Sequence, residues 1–208
     1  MIGGLYVITP DTTDTGGLLR KAHLALMGGA RAVQYRNKVA DAALRREQAE
    51  ALRELTREFS ATLIVNDDTA LARQVEADGV HLGGADGSVA EARALLGGGR
   101  LIGVSCYNRL ALAHEAARQG ADYVAFGSFF ASTVKPEAVV ATLDLLREAR
   151  RELDVPIVAI GGITPQNGGT LVEAGADALA VISAVFSAPD IEQAAREFSN
   201  LFEQGKPA

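Results

Sequence analysis

Short runs of β-branched and other apolar residues recur along the whole chain, separated by stretches with a different rhythm. The runs are LYVIT at Leu5, AVQY at Ala32, TLIVN at Thr62, GVHLG at Gly79, LIGVS at Leu101, YVAFG at Tyr123, IVAIG at Ile157 and ALAVIS at Ala178. Each is nearly continuous in apolar character, the pattern of a strand buried on both faces. The intervening segments, such as AALRREQAEALRELTREF, return apolar residues at helical spacing with charges between them. Eight strands alternating with helices predict an α/β parallel sheet. In a chain of 208 residues they predict closure into a single-domain (β/α)8 TIM barrel spanning 1–208. An open doubly wound sheet is the alternative, and it is weakened because no GxGxxG follows the first strand. The scattered glycines of GGGRLIG precede a strand, so they are read as a loop.

A weak internal repeat marks the joints between helix and strand: GGARAV at Gly28, EADGV at Glu76, QGADYV at Gln119 and AGADAL at Ala174. Gly29, Gly120 and Gly175 fit the left-handed position that ends a helix. The repeat is structural and is assigned no chemistry.

Composition narrows the setting. A net charge of -6 gives no global field for nucleic acid or an anionic membrane, so an anionic ligand must be held by local groups or by a metal. Cys106 is the only cysteine, which rules out an internal disulfide and a thiolate-rich metal site and suits a reducing compartment. The start, MIGGLYVITPD, has no basic leader, and no stretch approaches the ~20 apolar residues of a membrane span. A soluble, cytoplasmic protein is expected. Oligomeric state is not legible.

In such a barrel the chemistry lies just past the carboxyl ends of the strands. Gln34, Arg36 and Lys38 alternate along an extended segment, so all three are expected to point one way and to suit a phosphate or pyrophosphate; a solvated strand end is the bland alternative. Asn66, Asp67 and Asp68 follow the third run, and His81 and Asp86 accompany the fourth. Asp67 and Asp86, from neighbouring loops, are the expected ligands of a magnesium ion completed by water and phosphate oxygens. Asp68 is read as a helix cap at DTALAR, and capping at DGSVAEAR is the alternative for Asp86. His81 is as readily an inward core residue as a catalytic one. Ser105 ends the fifth run. Ser132, Thr133 and Lys135 lie in the loop after the sixth, where Lys135 is either a clamp on an anion or a surface lysine. Gly161, Gly162, Ile163, Thr164 and Pro165, then Ile182 and Ser183, follow the last two runs, where barrels of this kind often form a phosphate cup; glycines there also serve packing.

Taken in order, QYRNK, VNDD, HLGGAD, GVSCYN, ADYVAFGSFF, STVKP, VAIGGIT and AVISAVF resemble the motif series of the thiamine phosphate synthase family, from about Tyr6 to Phe186. The resemblance implies a transferase that joins an aminopyrimidine methyl diphosphate to a thiazole phosphate, giving thiamine phosphate and pyrophosphate with magnesium as cofactor. It further implies that Gln34, Tyr35, Arg36, Asn37, Lys38, Asn66, Ser105 and Lys135 hold the pyrimidine diphosphate, with Arg36, Lys38, Ser105 and Lys135 bearing on catalysis. Asp67 and Asp86 would hold magnesium, and Ser132, Thr133, Val134, Gly162, Ile182 and Ser183 the thiazole phosphate. Val134, Gly84, Ala85 and Glu137 depart from the family pattern. No general base is demanded, since a pyrimidine cation is attacked by a nitrogen lone pair. Two rivals are a thiazole tautomerase on the same barrel and a non-catalytic regulator that binds thiamine intermediates. Whether Tyr35, Tyr107 or Phe129 stacks on a ligand is left open.

Overall fold

The computed structural model describes residues 2–84, 87–131 and 139–203. Asp86, Ser132, Thr133, Val134 and Lys135, together with Ala85 and Glu137, lie outside the described residues. All eight expected strands form: β1 Gly4–Ile8, β2 Ala32–Tyr35, β3 Thr62–Asn66, β4 Gly79–Leu82, β5 Leu101–Tyr107, β6 Tyr123–Phe126, β7 Ile157–Ile160 and β8 Ala178–Val181. They pair in parallel in sequence order, and β1 pairs with β8 to close the barrel. The helices that bear on the site and the rims are α1 Thr15–Met27, α2 Ala42–Glu58, α3 Thr69–Gln74, α4 Val89–Leu96, α5 Leu110–Arg118, α6 Leu143–Glu152, α7 Pro165–Glu173 and α8 Ser183–Phe186.

Side chains alternate across each strand, so the apolar runs feed two cores. One lies between the sheet and the helices and includes Leu5, Val33, Leu63, Val80, Ile102, Val124, Ile157 and Leu179. The other fills the barrel with Tyr6, Ile64, Tyr123, Val158 and a set of alanines, Ala32, Ala125, Ala178 and Ala180. Two large rings need small neighbours in so narrow a space. Gly103 on β5 meets this need, because a Cβ there would stand 1.9 Å from the Tyr123 ring.

The helix–strand repeat has a physical role that local sequence does not reveal. Gly29, Gly120 and Gly175 take φ of 97°, 90° and 111°, as helix ends require, and Glu76 takes the same place at φ 52° without glycine. Two residues after three of these positions stands an aspartate at the amino-terminal rim. Asp78 accepts from Leu63 N at 2.8 Å and from Arg53 of α2 at 2.6 Å. Asp122 accepts from Ile102 N at 2.7 Å and from Arg93 of α4 at 2.5 Å. Asp177 accepts from Ile157 N at 2.8 Å and from Arg150 of α6 at 3.2 Å. Each aspartate thus ties the start of the preceding strand to the helix behind it. In the fourth copy Arg31 stands at this position, and the clamp is absent there.

Candidate active site

A cavity of about 690 Å³ opens at the carboxyl ends of the strands, a size suited to small ligands. Tyr6, Gln34, Arg36, Asn66, His81 and Ser105 line one side of it, and Gly161, Gly162, Ile182 and Ser183 the other. Of the proposed residues, Gln34, Arg36, Asn66, Ser105, Gly162, Ile182 and Ser183 therefore meet around one space. Ala131 and Val139 also line it.

Alternation on β2 divides the QYRNK block. Gln34 and Arg36 face the cavity, whereas the Tyr35 and Asn37 side chains, expected to hold the pyrimidine diphosphate, turn away from it to Gln48 of α2. The Tyr35 hydroxyl donates to Gln48 Oε1 at 3.0 Å, and burial pushes its pKa up to about 12. Asn37 Nδ2 donates to the same oxygen at 2.9 Å and to Thr12 O, and Asn37 Oδ1 accepts from Val39 N and Ala40 N. These bonds shape the β2–α2 turn. β2 ends at Tyr35, so the alternation does not carry through to Lys38, whose exposed side chain is not part of the described cavity wall.

Two residues missed from sequence hold Arg36. Thr9 Oγ1 accepts from Arg36 N and donates to Arg36 O, both at 2.9 Å. Asp11 takes the Arg36 guanidinium at 3.1 Å and Lys38 N at 2.8 Å. Thr9 ends the first apolar run and Asp11 follows it, so the rule applied to the other strand ends would have found them. The guanidinium is thereby held at the mouth of the cavity by Asp11.

At the β3 end, Asn66 pairs in register with His81, and Asp67 N donates to His81 O at 2.8 Å. Asp67 has a φ of 62°, a left-handed turn that lifts the chain off the sheet at the mouth. Asp68 caps α3, as expected, accepting from Leu71 N at 2.9 Å. The cap of α4 is Ser88, which forms a reciprocal pair with Glu91. The capping role offered as an alternative for Asp86 is thus filled two residues further on. Among the described residues no three His, Cys, Asp or Glu side chains gather as metal ligands. Magnesium does not require such a cage, because one or two carboxylates with water and substrate phosphate oxygens satisfy it. Asp67, at the β3 end next to the cavity-lining Asn66, is the kind of hard oxygen donor that such an ion takes.

The aromatic question resolves in part. Phe129 packs in the outer core and Tyr35 behind β2, while Tyr107 lines the cavity with a φ of 54°. Its hydroxyl accepts from Gly84 N at 3.2 Å, and a Cβ at residue 84 would approach that hydroxyl to 2.9 Å. The glycine that departs from the family pattern accommodates this tyrosine. Across the cavity, Gly161 and Gly162 have φ of 107° and 63°, and a Cβ on either would strike Ser128 or Ala131 O. Asn167 Oδ1 accepts from Thr164 N at 2.8 Å, and Pro165 opens α7, as read from the sequence.

Residues 5–185 match the family model described as thiamine monophosphate synthase. The chain belongs to the thiamine monophosphate synthase family. With membership goes the transferase activity for which the family is named. The chain is 55% identical to the thiamine-phosphate synthase of Methylobacillus flagellatus, across 97% of this chain and 96% of that one. It is also 55% identical to the thiamine-phosphate synthase of Acidithiobacillus ferrooxidans, across 99% and 97%. Among solved structures, the thiamine phosphate pyrophosphorylase of Pyrococcus furiosus matches with a TM-score of 0.87 and 38% identity, across 97% of this chain and 96% of that one. An orotidine 5'-phosphate decarboxylase from Pyrococcus horikoshii, at 16% identity and a TM-score of 0.69, shares the fold alone.

Proposed function

We propose that this cavity carries the family reaction by holding two phosphorylated substrates face to face and stabilising a departing diphosphate. The bond from the pyrimidine methylene carbon to the diphosphate oxygen breaks, and its electron pair leaves with pyrophosphate. The thiazole nitrogen then supplies its lone pair to that carbon, giving thiamine phosphate. The observation that carries this reading is the meeting of Gln34, Arg36, Asn66 and Ser105 with Gly162, Ile182 and Ser183 around one cavity.

In this reading Arg36 offsets negative charge that grows on the leaving group, in a partly enclosed site where such an interaction outweighs its value in water. Gln34 and Ser105 supply hydrogen bonds to the pyrimidine substrate, and Asn66 orients it. Gly161 and Gly162 let the backbone approach the thiazole phosphate beside Ile182 and Ser183. Lys135, Ser132, Thr133 and Val134 are assigned to the phosphates on the strength of the family resemblance. Asp67 and Asp86 are the proposed holders of magnesium. When bound, that ion would neutralise diphosphate charge and orient the leaving group. Proximity of the two substrates supplies much of the remaining rate. No general base is needed, and the His81 ring nitrogens are already engaged by Tyr123 and Ser105.

The activity is proposed to reside in the cytoplasm, and it needs neither nucleic acid nor a lipid surface; no helix among the described residues is long and apolar enough to cross a membrane. The test is incubation of the purified chain with both substrates, with and without magnesium, measuring pyrophosphate and thiamine phosphate. Equal release of both products, lost on chelation, is the expected outcome. Isomerised thiazole without pyrophosphate, or binding without turnover, would contradict it.

A further inference from the structure

Five side chains form a row across the barrel interior, of which Tyr6, Gln34, His81 and Ser105 also line the cavity. Gln34 Nε2 donates to the Tyr6 hydroxyl at 2.8 Å, and the Tyr6 and Tyr123 hydroxyls lie 3.1 Å apart. The Tyr123 hydroxyl stands 3.1 Å from His81 Nδ1, and His81 Nε2 stands 2.9 Å from Ser105 Oγ. Gln34, Tyr6 and Tyr123 are 3%, 1% and 0% exposed, so bulk water cannot satisfy them. The packing is equally restrictive. Tyr123 stacks on His81 at 5.6 Å and meets Tyr6 edge-on at 6.3 Å, with Gly103 leaving it room.

With the Gln34 amide nitrogen turned to Tyr6, one direction of donation satisfies every proton in this row. An amide nitrogen only donates, so the Tyr6 oxygen accepts from Gln34 and the Tyr6 proton needs its own acceptor. The Tyr123 oxygen is that acceptor. Tyr123 has one proton, and it passes to His81 Nδ1, which is therefore bare. The ring proton then sits on Nε2 and points at Ser105 Oγ. Ser105 accepts there, and its own hydroxyl proton is turned to the cavity that Ser105 lines. The reverse direction would aim both Gln34 and Tyr123 protons at Tyr6 and strand the Tyr6 proton in an apolar interior, where buried donors are rarely left unmet.

We propose that Tyr6, Tyr123 and His81 are positioning residues that fix Ser105 as a hydrogen-bond donor facing the cavity. A donor suits the oxygen of an anionic diphosphate, whereas a serine whose proton was given to His81 would present only lone pairs and repel it. The use of that donor rests on the reading of Ser105 as a diphosphate ligand; its direction rests on the hydrogen bonds alone.

Nitrogen NMR on the ligand-free full chain with labelled histidine reads the direction. The His81 signals are assigned by their loss in His81→Gln. The expected form is neutral with the proton on Nε2, and a proton on Nδ1 would overturn the proposal without any functional variant. The positioning role is read in Tyr123→Phe, with melting to verify the fold. The Nε2 preference should weaken, and kcat/KM for the pyrimidine diphosphate should fall about tenfold, the worth of one hydrogen bond to a charged group. KM for the thiazole phosphate should change less than about twofold, since that site lies across the cavity. An unchanged kcat/KM for the pyrimidine substrate would overturn the role. A wild-type chain with no turnover would instead count against the catalytic reading, leaving the tautomer measurement to judge the row.

Discussion

At the amino-terminal rim, Asp78, Asp122 and Asp177 each meet an arginine and a strand N–H, closing all three partners within the fold. At the carboxyl-terminal rim one such pair recurs, with Asp11 accepting from the Arg36 guanidinium and from Lys38 N, but its arginine lines the cavity. Asp67 sits in a left-handed turn at the mouth. The lower rim uses charge to fix strand register against helices, where the aspartates bridge elements that β-pairing alone does not connect. The upper rim places Arg36 on the cavity wall, where the proposed diphosphate would meet it. In a barrel of this type that division separates stability from catalysis, and it gives each rim its own mutational signature.

The largest separation is expected from Asp67→Asn. Asparagine tolerates the left-handed backbone, so the change removes charge with little strain. Magnesium-dependent turnover should fall by about 10²–10³-fold with the melting temperature nearly unchanged, on the scale of losing one electrostatic contact to a transition state. Steady-state kinetics beside a thermal melt checks this, and undiminished turnover would remove Asp67 from the metal site. A smaller effect of the opposite kind is expected from Asp122→Ala. It strands the Ile102 N–H, while the Arg93 guanidinium keeps Gly97 O, Arg100 O and Gly120 O as acceptors, so denaturant unfolding should lose about 1–3 kcal/mol, most of it from the unmet N–H because the ion pair is partly screened. The kcat of the remaining folded enzyme should stay the same. A fall in kcat without loss of stability would break the division between the rims.

The lower rim explains which parts of the molecule could be read in advance. Strand positions were legible because parallel strands buried on both faces leave continuous apolar runs, and TLIVN coincides with β3 residue for residue. The clamps were not, because they depend on register between β3 and β4, β5 and β6, and β7 and β8. The repeat announced a joint and concealed its partner. At the upper rim, the alternation that groups Gln34 with Arg36 also sends the Tyr35 and Asn37 side chains outward, a division that reading QYRNK as one block does not show. The Tyr6–Tyr123 contact joins residues 117 apart, and no local pattern signals it.

The central claim is that local cations and a bound ion at the upper rim grip the diphosphate. Calorimetric titration of pyrophosphate into the wild type, Arg36→Gln and Asp122→Ala, each with magnesium and with a chelator, tests it most directly. The account predicts binding that requires magnesium, weakens about tenfold or more in Arg36→Gln, and is unaltered in Asp122→Ala. Binding of equal strength in the chelator, or insensitive to Arg36, would contradict it.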